Sequence, residues 1–399
     1  MIPLELSFLE PLGRLTARPW ADKVTGVEID SRRIEEGDLF VAVGGGSDFS
    51  AHALARGASA VLVPEDAHTA LAAIGGEVRN RSRARVVGIT GSTGKTTTKD
   101  ILATLCAPHL RTVANEGNYN NELGVPLTLC RLEADTELCI AEMAMRGLGQ
   151  IAWLASFARP DIAVITNIGP VHLELVATIE NVARAKAELV DALPPGGVAV
   201  VPDEPLLEPY LQRTDIEIRR VPPVPEPFPF PTSFTARHQL QNAMTALEVC
   251  AVLGVPAPPR LDVAFSPLRE EELELAGGVL LLNDCYNANP LSMRAALEHL
   301  VARAGGRRTV AVLGEMAELG PDAPAYHAEV GRAATEAGVG EVVAVGDLAR
   351  GYLANGGRWY ATADEAAEGL RSLLEPGDVV LVKGSRAAGL ETIAAKLSG

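Results

Sequence analysis

From residue 85 onward the chain is punctuated by short, unbroken apolar runs, at 85–90, 138–141, 162–166 and 198–201, then at 279–282, 310–313, 342–345 and 379–382. A strand buried on both faces reads this way, because neither face has room for polar side chains. Alanine-rich stretches with apolar residues at helical spacing lie between the runs. Strands alternating with helices predict a mostly parallel, doubly wound sheet in the middle and a second α/β unit of nucleotide-fold type after it. Before residue 84 the strand-like runs are shorter, at 24–29, 39–43 and 60–63, around a short helix from Ala51, and the segment ends in the polar NRSRAR. The expected fold class is therefore α/β in three domains: a small N-terminal one at 1–83, a central one at 84–264 and a C-terminal one at 265–399. Residues 222–231, PPVPEPFPFP, can form neither helix nor central strand, because so many missing N–H donors would leave a ladder unpaired. They read as a surface connection.

The first apolar run breaks into chemistry. Residues 85–100 read RVVGITGSTGKTTTKD: a strand, a glycine-rich turn, then a helix start. Such a turn aims unpaired backbone N–H groups at one point, where polyphosphate binds. Gly91, Ser92, Thr93, Gly94, Lys95, Thr96 and Thr97 are the candidate nucleotide-binding residues, with Lys95 as the cation and the Thr96 hydroxyl placed to reach Mg²⁺. The usual P-loop spacing would need glycine where Ile89 stands; the shorter Gly91-x-x-Gly94-Lys95-Thr96 replaces it. A glycine-rich strand-to-helix turn without a ligand is the plainer alternative, and Lys-Thr directly after the glycine argues against it.

An open α/β sheet places its site past the carboxyl ends of its strands. Glu142 ends the run LCIAE, and His172 follows ITNIGPVHLE, whose loop also carries Asn167 and Gly169. Each could be merely a solvated strand-end group. Lys186 is more unusual. In TIENVARAKAELVDAL it falls on the stripe formed by Ile179, Val182, Leu189, Val190 and Leu193. A lysine there must snorkel to the edge, pair with an anion or change its chemistry, since burying a bare ammonium is costly.

Composition narrows the partners. A net charge of −16, with no basic stripe, disfavours nucleic acid. No apolar stretch approaches the ~20 residues of a membrane helix, and the start, MIPLELSFLEPLG, has no basic flank, so a cytoplasmic protein without membrane insertion is expected. The five cysteines lack paired spacing and imply neither a disulfide framework nor a zinc site.

Three further motifs lie downstream: Arg237-His238-x-x-x-Asn242 at a helix start, NDCYNANPLSM at 283–293 after a strand, and VKGSR at 382–386 ending the last one. The asparagines suit an adenine edge or ribose, although NANP is also ordinary turn chemistry before a helix. Lys383 and Arg386 could bind an anion or simply begin the final helix.

With ITGSTGKTTTKD, GNYNNELGVP, AEM, TNIGPVHLE, AKAEL, RHQLQNA, DCYNANPLSM, VLGEMAELG and VKGSR in this order, almost the whole chain resembles the Mur ligase family. The NANP motif, the GNYNNE loop and GEMAELG make it most similar to the members that attach D-alanyl-D-alanine to UDP-N-acetylmuramoyl-tripeptide. The resemblance implies an ATP-dependent ligase of peptidoglycan synthesis working through an acyl phosphate. It implies two Mg²⁺ ions held by Thr96, Glu142, His172 and a carbamylated Lys186, with Lys95, Glu142, His172 and Lys186 as catalytic residues. It further implies nucleotide contacts from Asn242, Asp284, Tyr286, Asn287 and Asn289. Ser31, Arg32, Asn118, Asn120, Asn121, Lys383 and Arg386 are the implied substrate contacts. Small-molecule substrates and a monomer are expected. The competing readings are a Mur-type ligase that adds a single amino acid, a P-loop ATPase switch, and a noncatalytic UDP-sugar sensor.

Overall fold

In the computed structural model, which describes residues 1–398, the long apolar runs all become interior strands. The central sheet has six strands in the order Glu217–Arg220, Val198–Val201, Ile162–Ile165, Arg85–Thr90, Leu138–Glu142, Thr112–Ala114, every pair parallel. From Arg85–Thr90 the chain first builds outward on one side and later, at Ile162–Ile165, on the other. Strand order therefore reverses at Arg85–Thr90, the place where open α/β sheets form a ligand crevice. Alternate strand residues feed two cores: Cys139, Ala141, Ala163 and Ile165 on one face, Val87, Ile89, Ile140 and Val164 on the other.

The C-terminal sheet repeats the plan, in the order Glu271–Leu275, Val279–Asp284, Val379–Lys383, Thr309–Gly314, Glu341–Val345, Arg358–Tyr360. Only its first strand is antiparallel. The N-terminal unit holds a four-stranded sheet ordered Arg14–Ala17, Ala60–Val63, Asp38–Val41, Gly26–Glu28.

Two features depart from the sequence pattern. Edge strands such as Glu217–Arg220 and Glu271–Leu275 carry too many charges to read as apolar runs, because one side of each faces solvent. The helix Ala67–Arg81, which runs into the arginine-rich tail, docks on the central unit: Leu71, Ile74 and Val78 share one core with Val125, Leu129 and Leu154. Gly75 makes the approach possible, since a Cβ there would lie 2.9 Å from both the Pro126 Cα and its carbonyl oxygen. Residues 222–231 contain no helix or strand, and all five cysteines are buried thiols. Among the described residues, no helix is long and apolar enough to cross a membrane.

Candidate active site

The turn after Arg85–Thr90 is shaped by backbone that only glycine adopts easily. Gly91 has φ 150° and Gly94 φ 75°, and a Cβ would fall 1.8 Å from Thr166 Oγ1 at the first and 2.4 Å from Asn242 Oδ1 at the second. The neighbouring strand-end loop braces the turn: Asn167 Oδ1 accepts from the Thr93 amide at 2.8 Å, and the Ser92 hydroxyl and Gly169 backbone bond reciprocally at 3.0 and 2.9 Å. The helix Lys95–Cys106 follows directly, its first amides open to an anion. Lys95 Nζ donates to Gly91 O at 2.8 Å, so its ammonium already curls over the loop. Burial pushes the Lys95 amine below the ordinary lysine range, and the Glu142 carboxylate opposes this.

Glu142, at the carboxyl end of the next strand, is wholly buried. Its Oε1 accepts from Asn120 Nδ2 at 2.6 Å, whereas Oε2 has no hydrogen-bond partner. Asn115 grips the same residue by its backbone, accepting from the Glu142 amide at 2.5 Å and donating to its carbonyl at 3.4 Å, and Lys99 Nζ in turn donates to Asn115 O at 3.1 Å. Asn115 and Lys99 went unnoticed in the sequence, because nothing local marks a polar residue that serves a strand far along the chain.

Lys186 sits in the helix Ile179–Asp191 at 2% exposure. It does not snorkel. Burial, and after it the like charge of Lys95, drives its ammonium well below the usual lysine range. His172, at the start of the short turn Leu173–Val176, bonds through Nδ1 to Glu318 of the C-terminal unit. Burial lowers its pKa, with Glu318 acting in the opposite direction.

The phosphate loop from Ser92 onward, Glu142 and His172 border one cleft of about 1850 Å³ between the central and C-terminal units, whereas Gly91, Lys99, Asn115 and the buried Lys186 are not among the residues that line it. Ser92 to Thr97, Asn118, Asn120, Asn121, Glu142, His172, Asn242, Asp284, Tyr286, Asn287, Asn289 and Lys383 all line it. Several have local duties too. Asn121 Oδ1 accepts from the Gly124 amide at 3.0 Å, and Asn289 caps the helix Pro290–Ala304 through Ser292 at 2.9 Å. Lys383, 2% exposed, holds Asp284 Oδ2 at 2.5 Å and Asn287 O at 3.1 Å, so it fixes the asparagine loop from within its own unit. Arg269 stacks on Tyr286 at 4.2 Å. Ser31, Arg32 and Arg386 lie outside the cleft: Ser31 Oγ is 2.9 Å from His52 Nδ1, Arg32 forks onto Asp30, and Arg386 is 3.8 Å from Glu391. Arg33 nonetheless ties the N-terminal unit to the GNYNNE loop, at 3.4 Å from Glu116 and from the Tyr119 hydroxyl.

Family models match this architecture piece by piece: the Mur ligase middle domain over residues 89–221, the glutamate ligase domain over 269–386, and the Mur ligase catalytic domain over 23–100. The chain belongs to the Mur ligase family. Its relatives include the UDP-N-acetylmuramoyl-tripeptide–D-alanyl-D-alanine ligase of Mycobacterium bovis, 36% identical over 93% of this chain and 92% of that one. The Escherichia coli ligase of the same name is 32% identical over 92% of each. Among solved structures, MurF from Acinetobacter baumannii superposes with a TM-score of 0.86 at 28% identity, covering 99% of both chains. MurF from Thermotoga maritima, solved with ADP, gives 0.82 at 28% identity over 94% of this chain and 97% of that one. As a Mur ligase, the chain uses ATP.

Proposed function

We propose that this Mur ligase joins D-alanyl-D-alanine to the terminal carboxylate of UDP-N-acetylmuramoyl-tripeptide, converting ATP to ADP and phosphate through an acyl phosphate. The observation that carries the reading is a single cleft in which a phosphate loop, a buried carboxylate with one uncommitted oxygen and the asparagine loop of a second α/β unit meet. Relatives bearing that activity's name align over nearly the whole chain.

In the first step the substrate carboxylate oxygen bonds to the γ-phosphorus as the bond to ADP breaks. Anions are brought together here, so charge neutralisation is the chief task. Lys95 and the first amides of its helix supply it from the protein side. The donor set also fits a divalent ion: the Glu142 Oε2 atom lacks a partner, Thr96 offers a hydroxyl, and His172 a ring nitrogen. Among the described residues no cluster of three or more His, Cys, Asp or Glu is preassembled for metal, so this mixed set would hold Mg²⁺ together with phosphate oxygens. Such an ion would screen the charge gathering between triphosphate and carboxylate.

Lys186 belongs to that set as a carbamate. Carbamates form when a neutral amine attacks CO₂ and gives up a proton, and burial of Lys186 beside Lys95 favours the neutral amine. The product turns an amine that has no anionic partner into an oxygen donor.

In the second step the dipeptide amine attacks the activated carbonyl, the bond to phosphate breaks, and the nitrogen's proton leaves with the departing phosphate. Holding the reactants together supplies much of the acceleration, and excluding water protects the acyl phosphate. The C-terminal unit contributes the opposing wall, with Asp284, Tyr286, Asn287 and Asn289 on the nucleotide side and Lys383 behind them. Asn118, Asn120 and Asn121 are assigned to the tripeptide end of the substrate, and Ser31 and Arg32 to its uridine end. Arg386, outside the lining, is assigned to substrate approach. We assign residues 1–83, 84–264 and 265–399 to the UDP-substrate, ATP and C-terminal domains, and place the protein in the cytoplasm as a monomer.

The test is phosphate release with mass analysis of the product. Release should require UDP-muramoyl tripeptide and yield the pentapeptide when D-alanyl-D-alanine is added. Incorporation of a single amino acid instead, or steady ATP hydrolysis with no acceptor, would refute the reading.

A further inference from the structure

We propose that Glu318, a residue of the C-terminal unit, is a positioning residue for His172 of the central unit, so that the catalytic cleft is complete only when the two units are docked. The inference rests on the reading above in which His172 works in the cleft.

Glu318 lies 146 positions beyond His172, in the turn between the strand Thr309–Gly314 and the helix Ala323–Ala337. It touches the central unit three ways. Its Oε2 accepts from His172 Nδ1, its backbone oxygen accepts from the Glu174 amide at 3.4 Å, and its Oε1 lies 3.6 Å from Arg146 Nε. Close approach is possible because Gly320 has no side chain: a Cβ there would sit 3.3 Å from Glu174 Cα.

Backbone conformation marks the same contact. His172 has φ 54° and Glu318 φ 62°, both in the left-handed region that non-glycine residues enter only when their surroundings hold them there. Two such residues meeting across one interface indicate a contact fixed by more than local preference.

The turn carrying Glu318 is anchored to its own unit. Met316 donates to His327 Nε2 at 3.0 Å, Ala317 to Ser385 Oγ at 2.9 Å, and Glu315 O accepts from the Ser385 amide at 2.9 Å. Glu318 therefore moves with the C-terminal unit as a rigid body. A histidine whose Nδ1–H is held by a carboxylate keeps one ring orientation and leaves its Nε2 lone pair free for a ligand. Undocking the C-terminal unit releases that hold, so domain docking and the readiness of His172 are coupled.

A double-mutant cycle tests this, with Glu318→Ala, Glu318→Gln, His172→Ala and the Glu318→Ala/His172→Ala pair compared in single-turnover phosphoryl transfer. Amide hydrogen exchange over residues 172–177 gives a readout independent of activity. Glu318→Ala should lower the rate about ten- to a hundredfold with little change in KM, the range typical of losing a partner behind a ligating histidine. Glu318→Gln, whose amide oxygen still accepts from Nδ1–H, should recover most of the rate. In the His172→Ala background, Glu318→Ala should cost nothing further. Exchange should quicken in Glu318→Ala and much less in Glu318→Gln. Wild-type rates in Glu318→Ala alongside a crippled His172→Ala, or strictly additive effects, would overturn the inference while leaving the His172 role intact. Full activity in His172→Ala would instead remove the role assigned to His172, and the inference with it.

Discussion

A buried amine without an anion is a liability to a fold, and Lys186 is one. This predicts a particular split between stability and activity. Lys186→Met should keep or raise the melting temperature, because an apolar side chain of similar length suits the buried site better than a polar amine with no anionic partner. Ligation should meanwhile fall by more than about a hundredfold, beyond what loss of an outer-shell partner typically costs. Lys186→Ala should be equally inactive, with partial rescue by bicarbonate or a short carboxylate. Full activity in either variant would rule out a ligating Lys186. Lys95 differs in kind. Lys95→Ala should abolish phosphoryl transfer yet leave the binding of the UDP-substrate, measured by calorimetry, unchanged. At this scale the sequence was informative where chemistry conflicts with local pattern, as with a lysine on an apolar stripe or Lys-Thr after a glycine turn. It did not give the roles of Glu318, Asn115 and Lys99, although Glu318 lies in GEMAELG and Lys99 in ITGSTGKTTTKD. Their work is done on residues of other segments, and no spacing encodes it.

Elements were legible in proportion to their burial. The runs at 85–90, 198–201 and 60–63 coincide with the strands Arg85–Thr90, Val198–Val201 and Ala60–Val63, the other interior strands differ by a residue or two at their ends, and the run at 24–29 divides into Lys23–Val24 and Gly26–Glu28, which belong to different sheets. Sheet edges were not legible, since Glu217–Arg220 and Glu271–Leu275 pair on one side only and can carry charge. The helix Ala67–Arg81 was missed for a related reason: Gly75 and Gly76 interrupt its apolar face, and they are there because the central unit packs against it. Gly75→Ala should accordingly destabilise the protein by about 1–3 kcal/mol through overpacking against Pro126. A denaturant midpoint unchanged from wild type would show that this helix is not tightly docked.

For the whole molecule, the contact between central and C-terminal units decides whether the cleft works. It depends partly on His238, at the start of the helix Arg237–Leu253, paired with the largely buried Glu270. His299, Asp284 and Lys383 also act on the pair. Burial lowers the His238 pKa, but Glu270 outweighs it and the net value lies above the ordinary 6.5. A raised folded-state value means that the stabilisation is fully present below about pH 6.5 and fades as pH rises through the folded-state value. The stability difference between wild type and His238→Gln should therefore shrink as pH is raised from 6 toward 8; a constant or widening difference would refute the assignment. Three α/β units were foreseeable from the alternation of strands and helices, whereas their docking was not, because it is written in contacts such as Ser266 to Asp100 at 2.9 Å.

The ligase chemistry itself rests on reversible transfer of the γ-phosphoryl group to a carboxylate before any amine arrives. Positional isotope exchange in ATP labelled at the β,γ-bridging oxygen reads that transfer directly. With UDP-muramoyl tripeptide and no D-alanyl-D-alanine, label should scramble into the nonbridging β positions, and Lys95→Ala should abolish the scrambling. No scrambling in a wild-type preparation that completes the ligation would contradict an acyl phosphate formed in this cleft.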